Sequence, residues 1–201
     1  LLNAFLEASQ RTGDILDLDF IRNLYPASCW EWAFFENAGG SFVPLSVIER
    51  MTAYIRETQV QPGAPYPSSA LAGERIAKAK QLMAELINAD DREVTIGAST
   101  SMNVYVLAQA LRPLWCEGDE IIVTRLDHDA NVRPWVLAAE DAGAQVRFVE
   151  IRREDCTLDL DDLKSKLNER TRLVALGCAS NSVGTINPYR DVIGWAHEVG
   201  A

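Results

Sequence analysis

Histidine is nearly absent from this sequence: His128 and His197 are the only two among 201 residues. Lysine is scarce too, confined to Lys78, Lys80, Lys164 and Lys166. Basic residues number 19 against 29 acidic ones, for a formal charge of -10. No basic stripe is available to neutralise a phosphate backbone, so nucleic acid is not expected as a partner. Cys29, Cys116, Cys156 and Cys178 are widely scattered and form neither a C-x-x-C pair nor a metal spacing. With only two separated histidines to add, a zinc site lacks ligands, and no metal is expected. Buried or idle thiols in a reducing compartment make the cytoplasm the default location. No apolar run is long enough to cross a membrane. The opening Leu1–Glu7 has no basic stretch and meets an acid early, so no secretory signal is expected there. It also lacks an initiator Met, which leads us to expect residues ahead of Leu1.

What is present suits a folded body. Apolar residues make up 48% and charged residues 24%, enough for a core and ordinary for a soluble domain. Residues 1 to 28 form a mixed amphipathic arm, with helical patterns over 1–10 and 18–24 that Pro26 ends. Ala33-Phe34-Phe35 is extended and leads into the loop Glu36–Ser41, punctuated by Gly39-Gly40. Helices are expected over 45–58, with Val47, Ile48, Met51 and Ile55 inside, and over 70–87, with Ile76, Leu82, Met83 and Leu86 inside. Between them, 59–69 holds three prolines and suits either a surface connector or a wall over a ligand site.

From Val94 onward the period alternates. The extended Val94–Ile96 enters Gly97-Ala98-Ser99-Thr100, and a helix follows with Val104, Leu107, Ala108 and Leu111 on one face. Strands are expected over 120–124, 145–151 and 171–176, separated by helices over 131–142 and 161–168 and followed by one over 190–199. Strands spaced by helices of about ten residues imply βαβ crossovers. The predicted fold class is therefore α/β, a mostly parallel, doubly wound sheet with helices on both faces. The expected division is an arm and entry loop over 1–45 and the α/β body over 46–201. The chain stops at Gly200-Ala201, where the next strand should start, so truncation of a longer protein is expected.

Three segments of this pattern bear groups suited to ligand chemistry. The small-residue turn before the helix leaves backbone N–H groups without partners, a natural seat for phosphate. It is neither a Walker sequence nor a G-x-G-x-x-G turn. Ser99 and Thr100 add hydroxyl donors, although Ser99 serves equally well as an ordinary helix cap. His128 follows the 120–124 strand between Asp127 and Asp129, at the strand end where α/β ligands sit. It is either a structural histidine or a flat ring that stacks on an aromatic cofactor and moves a proton. Asn181 follows the third strand to the same edge, where it either forms an Asx-turn or donates to a phenolate-like oxygen.

Taken in order, five segments resemble the fold-type-I pyridoxal-phosphate enzymes of the class V aminotransferase and cysteine desulfurase group. These are Phe34–Gly40, Ile96–Asn103, Leu126–Trp135 (LDHDANVRPW), Ala179–Pro188 (ASNSVGTINP) and Ala196–Ala201. The resemblance covers about 33 to 201 and implies the N-terminal part of the large domain. It implies pyridoxal 5'-phosphate (PLP) as cofactor, with its phosphate on the backbone N–H groups of Ala98 and Ser99. It further implies His128 stacked on the pyridine ring as the catalytic acid–base, and Asn181 on the ring's 3'-oxygen. Glu36, Ala98, Ser99, Thr100 and Cys178 depart from the family's usual residues and mark a divergent cysteine desulfurase-like branch. The family's pyridine-nitrogen aspartate should follow Ala201, and its Schiff-base lysine should lie later still, in a Ser-x-x-His-Lys context. None of the lysines present stands at such a site, so the 201 residues alone are expected to be inactive. The parent is expected to be a homodimeric lyase or transferase acting on a small amino acid. The alternative is a non-catalytic, truncated paralogue or structural fragment of this fold. A generic nucleotide-binding domain would account for the turn, but not for Asn181 or the His128 segment.

Overall fold

Residue burial in the computed structural model centres on one strand, β1 (Glu120–Thr124), every residue of which is buried. The structure describes residues 17–36 and 38–201, and the helix expected over 1–10 lies outside them. The chain divides into two units, one ending at Glu85 and the other running from Leu86 to Ala201.

The first unit is helical where described. α1 (Leu18–Asn23) starts on Asp17, whose carboxylate accepts the Phe20 N–H at 2.9 Å. This is an ordinary N-cap that satisfies one free amide of the first turn. α2 (Leu45–Thr58) begins after Pro44, and α3 (Pro67–Ile87) begins three residues earlier than the apolar period indicates. Proline presets the helical φ at such a position and has no N–H to lose. The proline loop is fastened to this first turn. The Ser69 hydroxyl donates to Gln61 O at 2.7 Å and accepts from Ala64 N at 2.8 Å. The apolar stripes expected to be buried on these helices are exposed: Met51 58%, Ile55 57%, Leu82 42% and Leu86 57%. Period finds such a stripe, but it does not supply the surface that covers it.

The second unit carries the sheet. β1 lies between β2 (Gln145–Val149) and β5 (Thr171–Val174), all parallel, in the order β2-β1-β5. α4 (Thr100–Leu111) and α5 (Arg133–Ala142) cover one face. There Ile121 and Val123 meet Ala108, Trp135, Ala138 and Ala139. α6 (Leu160–Lys166) and α7 (Tyr189–Glu198) cover the other, where Ile122 meets Leu163 and Val192. Successive β-strand side chains point to opposite faces, so a run of buried residues in β1 requires both layers. The doubly covered parallel sheet is as expected from the alternating period.

Several details differ from the sequence reading. Val94–Ile96 is extended but joins no ladder among the described residues. Leu107 is 50% exposed, and only Val104, Ala108 and Leu111 of the predicted α4 face pack on the core. The strand expected to run to Ile151 stops at Val149. Ile151–Arg152 forms β3, which pairs antiparallel with β4 (Thr157–Leu158). α5 ends at Gly143, whose φ of 73° is left-handed and whose N–H returns to Ala139 O and Glu140 O. A side chain there would be strained.

Asp119 and Glu120 are buried carboxylates at the N-terminal end of β1. The Cys116 N–H, together with Arg172, holds Asp119 below its ordinary value of 3.8. Arg147 and Asn168 hold Glu120 below 4.5. Both folded-state pKa values are depressed, so their stabilisation is present above the unfolded values and is lost as pH falls through the lower folded ones. We therefore expect stability of the full-length protein to fall below about pH 4.5. Asp119→Asn with Glu120→Gln should flatten that loss in circular-dichroism denaturation curves. An unchanged slope would remove these two groups from the account.

Candidate cofactor site

The C-terminal ends of β1 and β5 open onto a cavity of about 270 Å³. This lies just under the usual lower bound of about 300 Å³ for small-molecule sites. Thr100 brings the start of α4 to its wall, His128 and Asp127 the loop after β1, and Gly177 and Asn181 the chain after β5.

The α4 turn works first as a cap. The Ser99 hydroxyl accepts Met102 N–H at 3.2 Å, and the first helical backbone bond runs from Asn103 N to Ser99 O at 2.9 Å. The amides of Thr100 and Ser101 precede that bond and remain available to an anion, reinforced by the helix dipole. Ala98 and Ser99 lie just ahead of Thr100 but do not line the cavity. Thr100 does line it.

The His128 loop is held by several side chains. The Thr124 hydroxyl donates to Asp127 Oδ2 at 2.6 Å and accepts Asp127 N–H at 3.1 Å. Asn131 Nδ2 donates to Asp127 Oδ1 at 3.0 Å, and Trp135 Nε1 donates to Asn131 Oδ1 at 3.1 Å. His128 is exposed and begins a short 3-10 turn, with Nδ1 accepting the Ala130 N–H at 3.0 Å. Nδ1 therefore carries no proton in this arrangement, which leaves Nε2 for a ligand.

The Asn181 loop is built by its neighbours. The Ser180 hydroxyl accepts the N–H groups of Ser182 and Val183, both at 3.3 Å, and Gly184 N closes on Ser180 O at 3.1 Å. The turn therefore belongs to Ser180 rather than to an Asx-turn of Asn181, whose amide remains on the cavity wall. Asn187 is 4% exposed. It fastens the returning chain, its Nδ2 donating to Gly177 O at 2.7 Å and its backbone N to Cys178 O at 2.9 Å.

Gly177 is required by a close approach. A Cβ built there would lie 2.7 Å from Asp127 Oδ1, inside any real carbon–oxygen contact. His128 and Asn181 are thus brought to one cavity, as the sequence order suggested. Asp127, Asn131, Gly177 and Asn187 were missed as site residues. Asp127, Asn131 and Asn187 carried a signal only as letters near the histidine and asparagine, and Gly177 carried none.

Backbone donors at a helix start, a flat ring and a carboxamide thus border one crevice at the C-terminal edge of a parallel α/β sheet. The class V aminotransferase family model matches residues 33–201, and the chain belongs to that family. Aminotransferase-like protein FGM3 of Gibberella zeae is 36% identical over 187 residues, which is 90% of this chain and 46% of that protein. A cysteine desulfurase of Cronobacter sakazakii is 34% identical, covering 84% of this chain and 42% of its own length. The apo cysteine desulfurase of Thermococcus onnurineus NA1 superposes with a TM-score of 0.84 at 25% identity, over 94% of this chain and 46% of that one. The chain thus spans about half the length of the relatives it matches.

The cofactor of this family is pyridoxal 5'-phosphate. The donor set fits it: the open amides at the start of α4, with Thr100 on the cavity wall, suit the phosphate, and His128 and Asn181 border the same cavity. Among the described residues no helix is long and apolar enough to cross a membrane.

Proposed function

We propose that this chain supplies the phosphate and ring contacts of a PLP-dependent lyase or transferase. Its substrate is a small amino acid, and the activity is cysteine desulfurase-like. The observation that carries this reading is the shared cavity of Thr100, His128 and Asn181 at one sheet edge. The amides opening α4 would hold the phosphate, joined by those of Ala98 and Ser99 immediately ahead of the cavity wall. His128 would stack on the pyridine ring and meet the substrate's α-carbon as a proton donor through Nε2, and Asn181 Nδ2 would donate to the ring's 3'-oxygen. When bound, the cofactor supplies an electron sink at that carbon. In this reading residues 1–45 are the arm and entry loop and residues 46–201 the N-terminal portion of the PLP-binding large domain. The parent is a cytoplasmic homodimer in this reading.

Titration of the full-length apo-protein with PLP, followed by its absorption band, tests the assignment. Asn181→Ala should weaken cofactor binding about tenfold, the size of one hydrogen bond to a charged oxygen. Unchanged affinity would remove Asn181 from the ring. A wild-type protein that takes up no PLP would leave the non-catalytic paralogue as the better reading.

A further inference from the structure

Asn131 engages residues on both sides of His128. Its backbone N–H donates to His128 O at 2.8 Å, and its Nδ2 to Asp127 Oδ1 at 3.0 Å. Its Oδ1 accepts from Trp135 Nε1 at 3.1 Å, and the Trp135 ring is buried in the core beside Ile121 and Val123. Asp127 is fixed in turn by Thr124, the last residue of β1. The short turn carrying His128 is thereby bolted to the sheet at one end and to the core of α5 at the other. Both amide atoms of Asn131 are used with opposite polarity, so its orientation is set: the donor side faces a carboxylate and the acceptor side faces an indole N–H.

We propose that Asn131 is a positioning residue whose two-sided bridge selects the tautomer of His128. The bond from Ala130 N–H to His128 Nδ1 exists only while the turn keeps its shape, and that bond requires the neutral ring to hold its proton on Nε2. The proton is then on the nitrogen left for the ligand, not on the one facing the protein's own backbone. This inference rests on the proposed role of His128 at the cofactor, but its test does not require cofactor.

The full-length apo-protein, labelled with ¹⁵N-histidine, reports the tautomer directly through its two ring-nitrogen shifts. Wild type should show His128 as the Nε2–H form. Asn131→Asp sets a carboxylate against Asp127 Oδ1 and should shift the tautomer ratio toward Nδ1–H by about fivefold, the equivalent of one lost hydrogen bond. The exchange Asp127→Asn with Asn131→Asp provides the rescue. It reverses donor and acceptor between the two positions, yet still offers an acceptor to Trp135 Nε1 and another to the Thr124 hydroxyl. The double variant should return the ratio to wild type. If the single variant unfolds, the folded double variant still decides the matter. A ratio unchanged in the single variant, or not restored in the double one, overturns the proposal. PLP titration of the same samples separates the two readings. Wild-type protein with the Nε2–H tautomer but no PLP uptake defeats the proposed function and leaves the bridge intact.

Discussion

Replacing His128 with alanine in the full-length protein is expected to lower turnover about 10²-fold or more, the usual size for a lost positioned acid–base group. Cofactor binding should largely persist, because the α4 turn and Asn181 do not depend on the imidazole. Only the Ala130 N–H loses a partner, and it sits in an exposed turn where water can replace Nδ1. His128→Phe separates the two tasks of the ring. It restores a flat face for stacking but moves no proton, so the absorption band of bound PLP should match wild type while the rate stays low. The measurement pairs that spectrum with steady-state turnover over a panel of small amino acids. If His128→Ala keeps both near wild type, His128 is a loop residue and the proposed site is misplaced. Loss of PLP from His128→Ala but not from His128→Phe, with the fold intact, would leave stacking as the larger contribution.

Gly177→Ala should cost the full-length protein about 2 to 3 kcal/mol of stability, the range for a buried polar network broken at a charged member. The new Cβ falls 2.7 Å from Asp127 Oδ1 and 3.6 Å from Ala179 O. Backbone confines the glycine side, so the carboxylate has to give. In moving, it forfeits the bonds from Thr124 at 2.6 Å and Asn131 at 3.0 Å. The His128 turn loosens with it, so PLP affinity should fall as well. Denaturant midpoints with unchanged slope would measure the first effect, and spectral titration the second. A variant as stable as wild type would mean that Asp127 has a second, equally good position.

Much of this arrangement was legible because period and punctuation coincide. The alternation from Glu120 onward gave the parallel sheet, and His128 and Asn181 each followed a strand to the same edge. The remainder depended on facts that letters in one dimension do not carry. Val94–Ile96 has strand composition, but a ladder needs a partner, and none of the described strands pairs with it. The stripes of α2 and α3 have helical period, yet Met51, Ile55 and Leu86 remain exposed. The β3–β4 hairpin was hidden because its turn, within a charged stretch, passes through Cys156, a non-glycine residue at a φ of 57°. Of the two roles open to Asn181, the turn is taken by Ser180 beside it, whose hydroxyl is equally competent to form one. Gly177 had no signal at all: its necessity comes from Asp127, fifty residues away along the chain and adjacent in space.

The strand order also bears on when the cavity comes into being. β1 pairs with β2 through α5 alone, Glu120 meeting Gln145, whereas its pairing with β5 joins Glu120 to Thr171. The second closure spans about twice the chain of the first and costs roughly 0.6 kcal/mol more in loop entropy. It also waits on the hairpin and α6. Nearer contacts form sooner in general, so β1, α5 and β2 should assemble as an early nucleus with the His128 turn already in place. Asn181 and Gly177 would arrive with β5. On a ribosome, where the chain emerges from its N-terminal end, the histidine half of the crevice would precede its carboxamide half. A nascent chain halted before Thr171 would then have the ring and the phosphate turn but no opposing wall.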